Sequence, residues 1–299
     1  MKVRILLSAL FLFSIAIPAA GEELRLRHAV SLYTDDKGLG MKQPEGVACE
    51  GASGVIVADT GNGRLLRYTV EEARVKAVQE IITGEAGLPA RVQIGSRGDL
   101  FVLDSRRRRI MKLGPEGKVR GDLELKGVPS AEAMVIRSFV VGPSDDVYLL
   151  DTASERVLVL SAEGNYLRST PFPDGSGFIS DLAVDKRGTV YLVDSVNGTV
   201  YGAAKEGFTV VMGGLREKLQ MAFPSAIAVD ERERIYLMDR NSGNLVVLAR
   251  EGSFLSRQFG RGWTEGLFRY PAQICLNESG QAFVADWGNN RVQMFVTGK

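Results

Sequence analysis

Short stretches of alternating apolar and polar residues recur along the chain, and six of them end in an aspartate. They read VIVAD, LFVLD, VYLLD, VYLVD, IYLMD and AFVAD, and they end at Asp59, Asp104, Asp151, Asp194, Asp239 and Asp286. Successive aspartates are 43 to 47 residues apart. Alternation with a period of two predicts β-strands. A regular spacing of this length indicates repeated copies of one supersecondary unit.

Each repeat contains further strand-like stretches around its aspartate. One stretch, such as GVACE or IAVD, lies upstream and begins near a proline in four repeats, at Pro44, Pro89, Pro224 and Pro271. A third stretch such as RVLVL follows a polar turn, and a fourth such as NYLRS follows a glycine turn. Four short strands in about 45 residues are typical of a propeller blade. The sequence therefore predicts an all-β, six-bladed β-propeller of four-stranded antiparallel blades.

The last repeat is one strand short, because the chain ends after RVQMFV. Residues 24–33, LRLRHAVSLY, form an alternating stretch immediately before the first repeat. We expect this N-terminal strand to pair into the last blade as its outer strand. Such pairing would close the ring and cover an edge that otherwise invites aggregation.

Two segments carry a family resemblance. ADTGNGRLLRY, which follows PEGVACE, and QFGRGWTEGLFRYPAQICL with AFVADWGNNRVQMF resemble NHL repeats. The shared features are a proline before the first strand, a V-x-D strand, and an arginine five residues after the aspartate. The resemblance extends over residues 22–299 and is clearest in repeats 1 and 6. It implies a six-bladed propeller of the exported bacterial type.

Residues 1–21 have the pattern of a signal peptide, with Lys2 and Arg4 before an apolar run of thirteen residues and small residues at positions 19–21. An anchor helix is the alternative, although thirteen residues are fewer than the about twenty that span a bilayer. Cleavage would leave residues 22–299 as a single propeller. It removes two of the 37 basic residues and none of the 36 acidic ones, so the mature net charge is about −1. We expect a periplasmic or extracellular protein without a membrane span.

The composition limits the chemistry, because the chain has one histidine, His28, and two cysteines, Cys49 and Cys275. This excludes most zinc sites, histidine-based triads and haem attachment. The cysteines lie on the innermost strands of repeats 1 and 6, which are neighbours only in a closed ring. Their positions differ by one residue relative to the repeat aspartates, which places them on opposite blade faces. A disulfide is expected in an oxidising compartment, and two buried thiols are the alternative.

The repeated charged residues favour a structural role. The arginine five residues after the aspartate is present in four repeats and is replaced by Thr199 and Asn244 in the other two. Aspartate accepts N–H groups of turns, and arginine can pair with a carboxylate. We therefore expect the following residues to hold the blade turns rather than to catalyse a reaction: Asp59, Arg64, Asp104, Arg109, Asp151, Arg156, Asp194, Asp239, Asp286 and Arg291.

Functional residues should break the repeat symmetry, and two turns do so. The turn of repeat 2 carries Arg106, Arg107 and Arg108, a basic cluster that could hold an anionic partner or simply be solvated. The turn of repeat 6 carries Trp287, which is either an interface anchor or a packing residue.

The beginnings of the innermost strands define a third candidate site at the channel mouth. The residues there are Glu45, Arg91, Arg137, Ser138, Ser180, Asp181, Ser225 and Gln273. Related propeller hydrolases hold a metal at this place with acidic and amide groups, and related lyases use histidines. This mixed ring matches neither pattern, so we expect no metal and no cofactor. Internal pairing of Glu45 with an arginine is the alternative to a binding role.

Two classes of function remain open. We expect a monomeric, non-enzymatic binding or scaffold module for a protein, a peptide or an anionic polymer of the cell envelope or secreted space. The alternative is a metal-dependent lactonase, esterase or lyase with Glu45 and Asp181 as its acidic centre. Some relatives bind RNA, but the near-neutral charge gives no reason to expect a nucleic acid partner. The fold alone does not decide between these classes.

Overall fold

The computed structural model describes residues 24–81, 87–204 and 207–298. Six separate four-stranded antiparallel sheets account for its strands. The innermost strands of successive sheets contact one another around the whole ring, including those of the first and last sheets. This confirms the predicted six-bladed β-propeller. The expected signal peptide lies outside the described residues.

The chain passes through each blade from the innermost strand outwards, after a first strand, β1 (Leu26–Leu32). Blade 1 contains β2 (Gly46–Glu50), β3 (Gly54–Asp59), β4 (Arg64–Glu71) and β5 (Arg74–Ile81). Blade 2 contains β6 (Pro89–Ile94), β7 (Leu100–Asp104), β8 (Arg109–Leu113) and β9 (Val119–Asp122). Blade 3 contains β10 (Ile136–Val141), β11 (Val147–Asp151), β12 (Arg156–Leu160) and β13 (Tyr166–Pro171).

The second half of the chain repeats this order. Blade 4 contains β14 (Ile179–Val184), β15 (Val190–Asp194), β16 (Thr199–Ala204) and β17 (Gly207–Gly213). Blade 5 contains β18 (Pro224–Val229), β19 (Ile235–Asp239), β20 (Asn244–Leu248) and β21 (Phe254–Phe259). Blade 6 contains β22 (Pro271–Leu276), β23 (Ala282–Asp286) and β24 (Arg291–Thr297). The described residues also include one short helix, α1 (Leu215–Leu219).

The ring closes as the sequence predicts. Strand β1 pairs antiparallel with β24 and becomes the outer strand of blade 6, with Leu26 opposite Thr297 and Leu32 opposite Val292. The C-terminal blade is thus completed by the N-terminal strand. His28 lies on this outer strand, opposite Phe295.

The hydrophobic core is divided among the blade interfaces. Six clusters of buried side chains are present, and each joins two neighbouring blades. The cluster between blades 1 and 6 includes Val57, Leu66 and Phe283, all fully buried. Because apolar burial is the main source of folding free energy, each blade depends on both of its neighbours.

One end of the propeller carries most of the long loops. In blades 2 to 6 the first residue of the innermost strand lies opposite the repeat aspartate, as Pro89 does opposite Asp104. The beginnings of the innermost strands, the turns after the aspartates and the loops between blades therefore share this end, which we term the Asp end. No helix within the described residues is long and apolar enough to cross a membrane.

Candidate functional site

The six repeat aspartates organise the turns at the Asp end. Their side chains are completely buried. Asp104 shows the arrangement: its Oδ1 accepts the backbone N–H groups of Arg106 and Arg107 at 3.0 Å, and that of Leu88 at 3.2 Å. One carboxylate thus holds both the turn that follows it and the chain entering its own blade. These contacts satisfy buried backbone groups.

Three repeat arginines pair with the aspartate of their own blade. The Nε–Oδ2 distances are 2.8 Å for Arg64 and Asp59, 3.1 Å for Arg156 and Asp151, and 2.9 Å for Arg291 and Asp286. Arg109 departs from this pattern, because its Nη1 pairs with Asp122 of β9. At this turn Arg107 Nε lies 3.8 Å from Asp104 Oδ2, the carboxylate oxygen that the repeat arginine contacts in the other three blades.

The basic cluster of blade 2 lies at the surface. Arg106, Arg107 and Arg108 are all exposed. Arg107 is also directed toward Asp104. A role for this cluster in binding stays a prediction.

The disulfide between Cys49 and Cys275 is confirmed, with a Cα–Cα distance of 5.7 Å. It joins β2 to β22, the innermost strands of blades 1 and 6. Both cysteines line a central cavity of about 230 Å³ between the innermost strands. The covalent link therefore lies in the channel wall where the ring closes.

The innermost strands begin with a bulge that turns side chains toward the neighbouring blade. In blades 2 to 6 the register with the second strand shifts after the first residue, and such bulges re-aim side chains. Asp181 and Gln273 occupy equivalent positions after the bulge. Asp181 Oδ2 accepts the N–H of Ile227 at 3.1 Å, and Gln273 Oε1 accepts the N–H of Val47 at 3.0 Å. Both side chains therefore link adjacent blades.

Arg91 occupies the equivalent position in blade 2. It is buried, and its guanidinium donates to the backbone carbonyls of Glu45 at 3.1 Å and Ala272 at 3.4 Å. Its Nε has no hydrogen-bond partner. A Cβ at Gly46 would lie 3.0 Å from Arg91 Cα, so glycine allows β2 to approach this strand closely.

Three guanidinium groups lie near one another at the Asp-end mouth of the channel. They belong to Arg91, Arg137 and Arg240, and Glu45 and Asp181 are within electrostatic range. Within residues 24–81, 87–204 and 207–298, no carboxylate oxygen lies within 4.0 Å of a nitrogen of these arginines. Pairing of the Glu45 carboxylate with one of these arginines, the alternative that the sequence left open, is thus absent among the described residues, and Arg91 donates to the Glu45 backbone carbonyl.

The charged groups at the mouth shift one another's pKa values. Burial lowers the pKa of Arg137, although solvent reaches this side chain, and the Arg91 guanidinium lowers the pKa further. Burial also lowers the pKa of Arg240, an effect that the Glu45 carboxylate opposes. Burial raises the pKa of Asp181, and the Arg91 guanidinium partly counteracts this rise. An anion placed among these guanidiniums would relieve their mutual repulsion.

Sequence reasoning singled out Trp287 but missed Arg240. The residue after the repeat aspartate is a hydroxyl residue in blades 1 to 4, and in blades 1 and 4 it donates to the next blade, as Ser195 does to the carbonyl of Pro224 at 2.6 Å. Arg240 and Trp287 replace this hydroxyl in blades 5 and 6. The Arg240 guanidinium lies 5.6 Å from the Trp287 ring centre. This break in the hydroxyl pattern is the signal that could have identified Arg240.

The other end of the channel has the opposite character. Its mouth is lined by five carboxylates and one lysine, at Glu50, Asp185, Lys186, Asp230, Glu231 and Glu278. No group of three or more histidine, cysteine, aspartate or glutamate side chains in the described part of the chain could hold a metal ion. The channel is thus basic at the Asp end and acidic at the other.

The last blade is similar to a known sequence repeat. Residues 268–295 match the NHL repeat model. This segment covers most of blade 6, where the sequence resemblance is clear. No curated protein matches the chain.

Solved structures share the fold across most of the chain. A streptogramin B lyase superposes with a TM-score of 0.70 at 11% identity, over 92% of this chain and 98% of the lyase. A gluconolactonase from Xanthomonas campestris has a TM-score of 0.66 at 14% identity, over 92% and 90% of the two chains. A chain of a nidogen/laminin complex has a TM-score of 0.60 at 17% identity, over 74% and 81%. Enzymes and a protein complex therefore share this fold, which leaves the function open.

Proposed function

We propose that the protein is a non-enzymatic binding propeller that holds an anionic protein, peptide or polymer at its Asp end. The observation that carries this proposal is the group of guanidiniums at the channel mouth. Arg137 and Arg240 have no carboxylate within ion-pair distance among the described residues, and burial lowers the pKa of both. Guanidinium groups bind carboxylates and phosphates through paired hydrogen bonds.

The proposed setting is an oxidising compartment outside the cytoplasm. The Cys49–Cys275 disulfide supports it, because such bonds persist mainly in exported proteins. The signal-peptide pattern of residues 1–21 agrees with the same setting. A partner in the cell envelope or secreted space follows from this placement.

The test uses citrate, whose three carboxylates suit three guanidiniums. A ligand that binds only the native state stabilises that state by about 2.7 kcal/mol when its concentration is about 100 times its Kd. We expect citrate to raise the Tm of the wild-type protein and to lose most of this effect in the double variant Arg137→Gln/Arg240→Gln. Lys186→Gln, at the opposite mouth, is the matched control and should behave as wild type. Equal shifts in the double variant and the wild type would overturn the proposal.

The blade 2 cluster is tested separately. The triple variant Arg106→Ala/Arg107→Ala/Arg108→Ala should keep the citrate response if the channel mouth is the binding site. A loss confined to the triple variant would move the site to the blade 2 turn.

An enzymatic function is the second candidate, and Asp181 favours it. This carboxyl is fully buried beside the channel, and burial raises its pKa, as in many general acids. Glu45 lies at the same mouth. Metal analysis and a screen of lactones and esters would support this candidate only if turnover is abolished by Asp181→Asn.

A further inference from the structure

A strip of alternating cations and aromatic rings leads from the channel mouth to the rim of blade 6. The Arg240 guanidinium lies over Trp287 at 5.6 Å, and Trp287 meets Tyr270 edge to face at 6.2 Å. Arg261 lies over Tyr270 at 5.3 Å and donates to its hydroxyl at 3.2 Å. Trp263 lies in the loop between β21 and β22 and has 79% of its surface exposed.

The exposed tryptophan stands on a firmly held loop. Arg291 donates to the carbonyl of Thr264 at 2.8 Å, and Asn289 donates to the carbonyl of Gly262 at 2.9 Å. Both neighbours of Trp263 are therefore fixed by side chains of blade 6, and Arg291 is itself buried. Trp263 is therefore held on a fixed loop, which lowers the entropy cost of any contact that it makes.

Two cavities lie along this strip and share Arg269. One, of about 170 Å³, is lined by Gln43, Arg269, Tyr270, Trp287, Gly288 and Asn290. The other, of about 370 Å³, is lined by Arg261, Gly262, Trp263 and Arg269. Each volume is several times the roughly 30 Å³ that one water molecule occupies in the liquid. Among the residues that the structure describes, no aliphatic side chain lines either cavity.

The backbone beside the first cavity is strained. Gln43 and Tyr270 both precede a proline, where extended backbone is preferred. Both instead adopt the left-handed region, with φ of 50° and 55°. Strain of this kind in residues other than glycine concentrates at binding and catalytic sites.

We propose that this strip binds an acidic polysaccharide, a chain of sugar rings that carry carboxylates. Aromatic rings stack on the apolar C–H faces of sugars, the amides of Gln43 and Asn290 suit hydroxyl groups, and guanidiniums suit the carboxylates. An acidic peptide is the competing occupant, and among the described residues no aliphatic side chain lines the cavities to hold its apolar side chains. The proposal rests on the proposed function and names the polymer that the Asp end holds.

The test measures binding of an oligogalacturonate to the full chain by calorimetry. A neutral oligogalactoside of the same length, poly-L-glutamate and an oligouridylate are the competing probes. Because truncation of an aromatic anchor typically costs more than 1 kcal/mol and 1.4 kcal/mol is tenfold, Trp263→Ala should weaken binding about tenfold. Trp263→Phe should restore most of the affinity. Phe254→Ala, which alters a half-exposed ring on outer strand β21, is the matched control.

The outcomes separate the two proposals. The expected result is oligogalacturonate binding that depends on Trp263, while Trp263→Ala keeps the wild-type Tm shift with citrate. The polysaccharide assignment is wrong if Trp263→Ala binds as wild type, or if the neutral sugar, the polyglutamate or the RNA binds equally well. If neither citrate nor any of the acidic probes binds, the proposed function itself fails.

Discussion

Asp181 Oδ2 accepts the backbone N–H of Ile227 at 3.1 Å, and this bond joins blade 4 to blade 5 beside the channel. Ser138 Oγ donates to the other carboxylate oxygen at 2.6 Å, which adds a link to blade 3. One buried carboxyl therefore connects three consecutive blades. Burial raises the pKa of Asp181, and the Arg91 guanidinium opposes this rise but is the weaker effect.

Two substitutions of Asp181 separate its role as a hydrogen-bond acceptor from the effect of its charge. Asp181→Ala leaves the buried N–H of Ile227 without a partner and should lower the free energy of unfolding by about 1–3 kcal/mol. Asp181→Asn keeps an acceptor for Ile227, as Gln273 does for Val47, and should unfold near the wild-type urea midpoint at about pH 4, where the wild-type carboxyl is still protonated in the folded chain. Equal losses of stability in both variants would show that the hydrogen bond to Ile227 does not account for the contribution of Asp181.

The pH dependence of stability follows from the raised pKa of Asp181. The folded chain holds this proton more tightly than the unfolded chain, so the contribution to stability is full below the ordinary pKa of 3.8 and declines as pH rises above it. Asp181→Asn lacks this titration. The stability of the wild type relative to Asp181→Asn should therefore fall between pH 4 and neutrality. A constant difference, measured by urea unfolding across this range, would contradict the assignment.

The disulfide should contribute a large part of the stability of the closed ring. Cys49 and Cys275 are 226 residues apart, and the chain-entropy model gives about 5 kcal/mol for such a loop as an upper figure. Reduction should lower the Tm by roughly 5–15 °C, given the usual few degrees per kcal/mol. The double variant Cys49→Ala/Cys275→Ala is the control, since its Tm should not respond to reductant. An unchanged Tm of the reduced wild type would show that β1 and the blade 1–6 core suffice.

The repeat arginines should differ in importance although they share a sequence position. Arg291 is buried, pairs with the buried Asp286, and donates to the carbonyls of Thr264 and Leu267. Arg291→Ala leaves a buried charge without its partner and should cost about 3–5 kcal/mol. Arg109 and its partner Asp122 are each more than one third exposed, so Arg109→Ala should cost less than about 1 kcal/mol. Chemical denaturation of the two variants compares them directly, and similar losses would contradict the structural distinction.

The sequence predicted the fold more completely than the site, and the residues show why. The six aspartates each end the second strand of a blade, and the cysteines meet, because period and strand alternation determine these positions. Spacing predicts that Arg109 holds the blade turn but does not give its partner, and in the structure it pairs with Asp122 while Arg107 lies 3.8 Å from Asp104. Arg240 was missed because the position of its guanidinium depends on a contact with Trp287 of the neighbouring blade. The sequence of a single repeat does not encode such a contact.

His28 should titrate below its ordinary pKa and make the closing strand sensitive to acid. Burial lowers the pKa of His28, the Glu265 carboxylate raises it and Arg291 lowers it, while the ring contacts Ser31 Oγ at 2.9 Å and the edge of Phe295. The stability that this neutral ring contributes is full above pH 6.5 and is lost as pH falls through the lowered pKa. Because the chain has only one histidine, a single imidazole signal in NMR reports this pKa directly. His28→Gln is the control, and its Tm should approach that of the wild type as pH falls below 6.5. A midpoint at or above 6.5 would show that Glu265 outweighs burial and that protonation stabilises the closing strand instead.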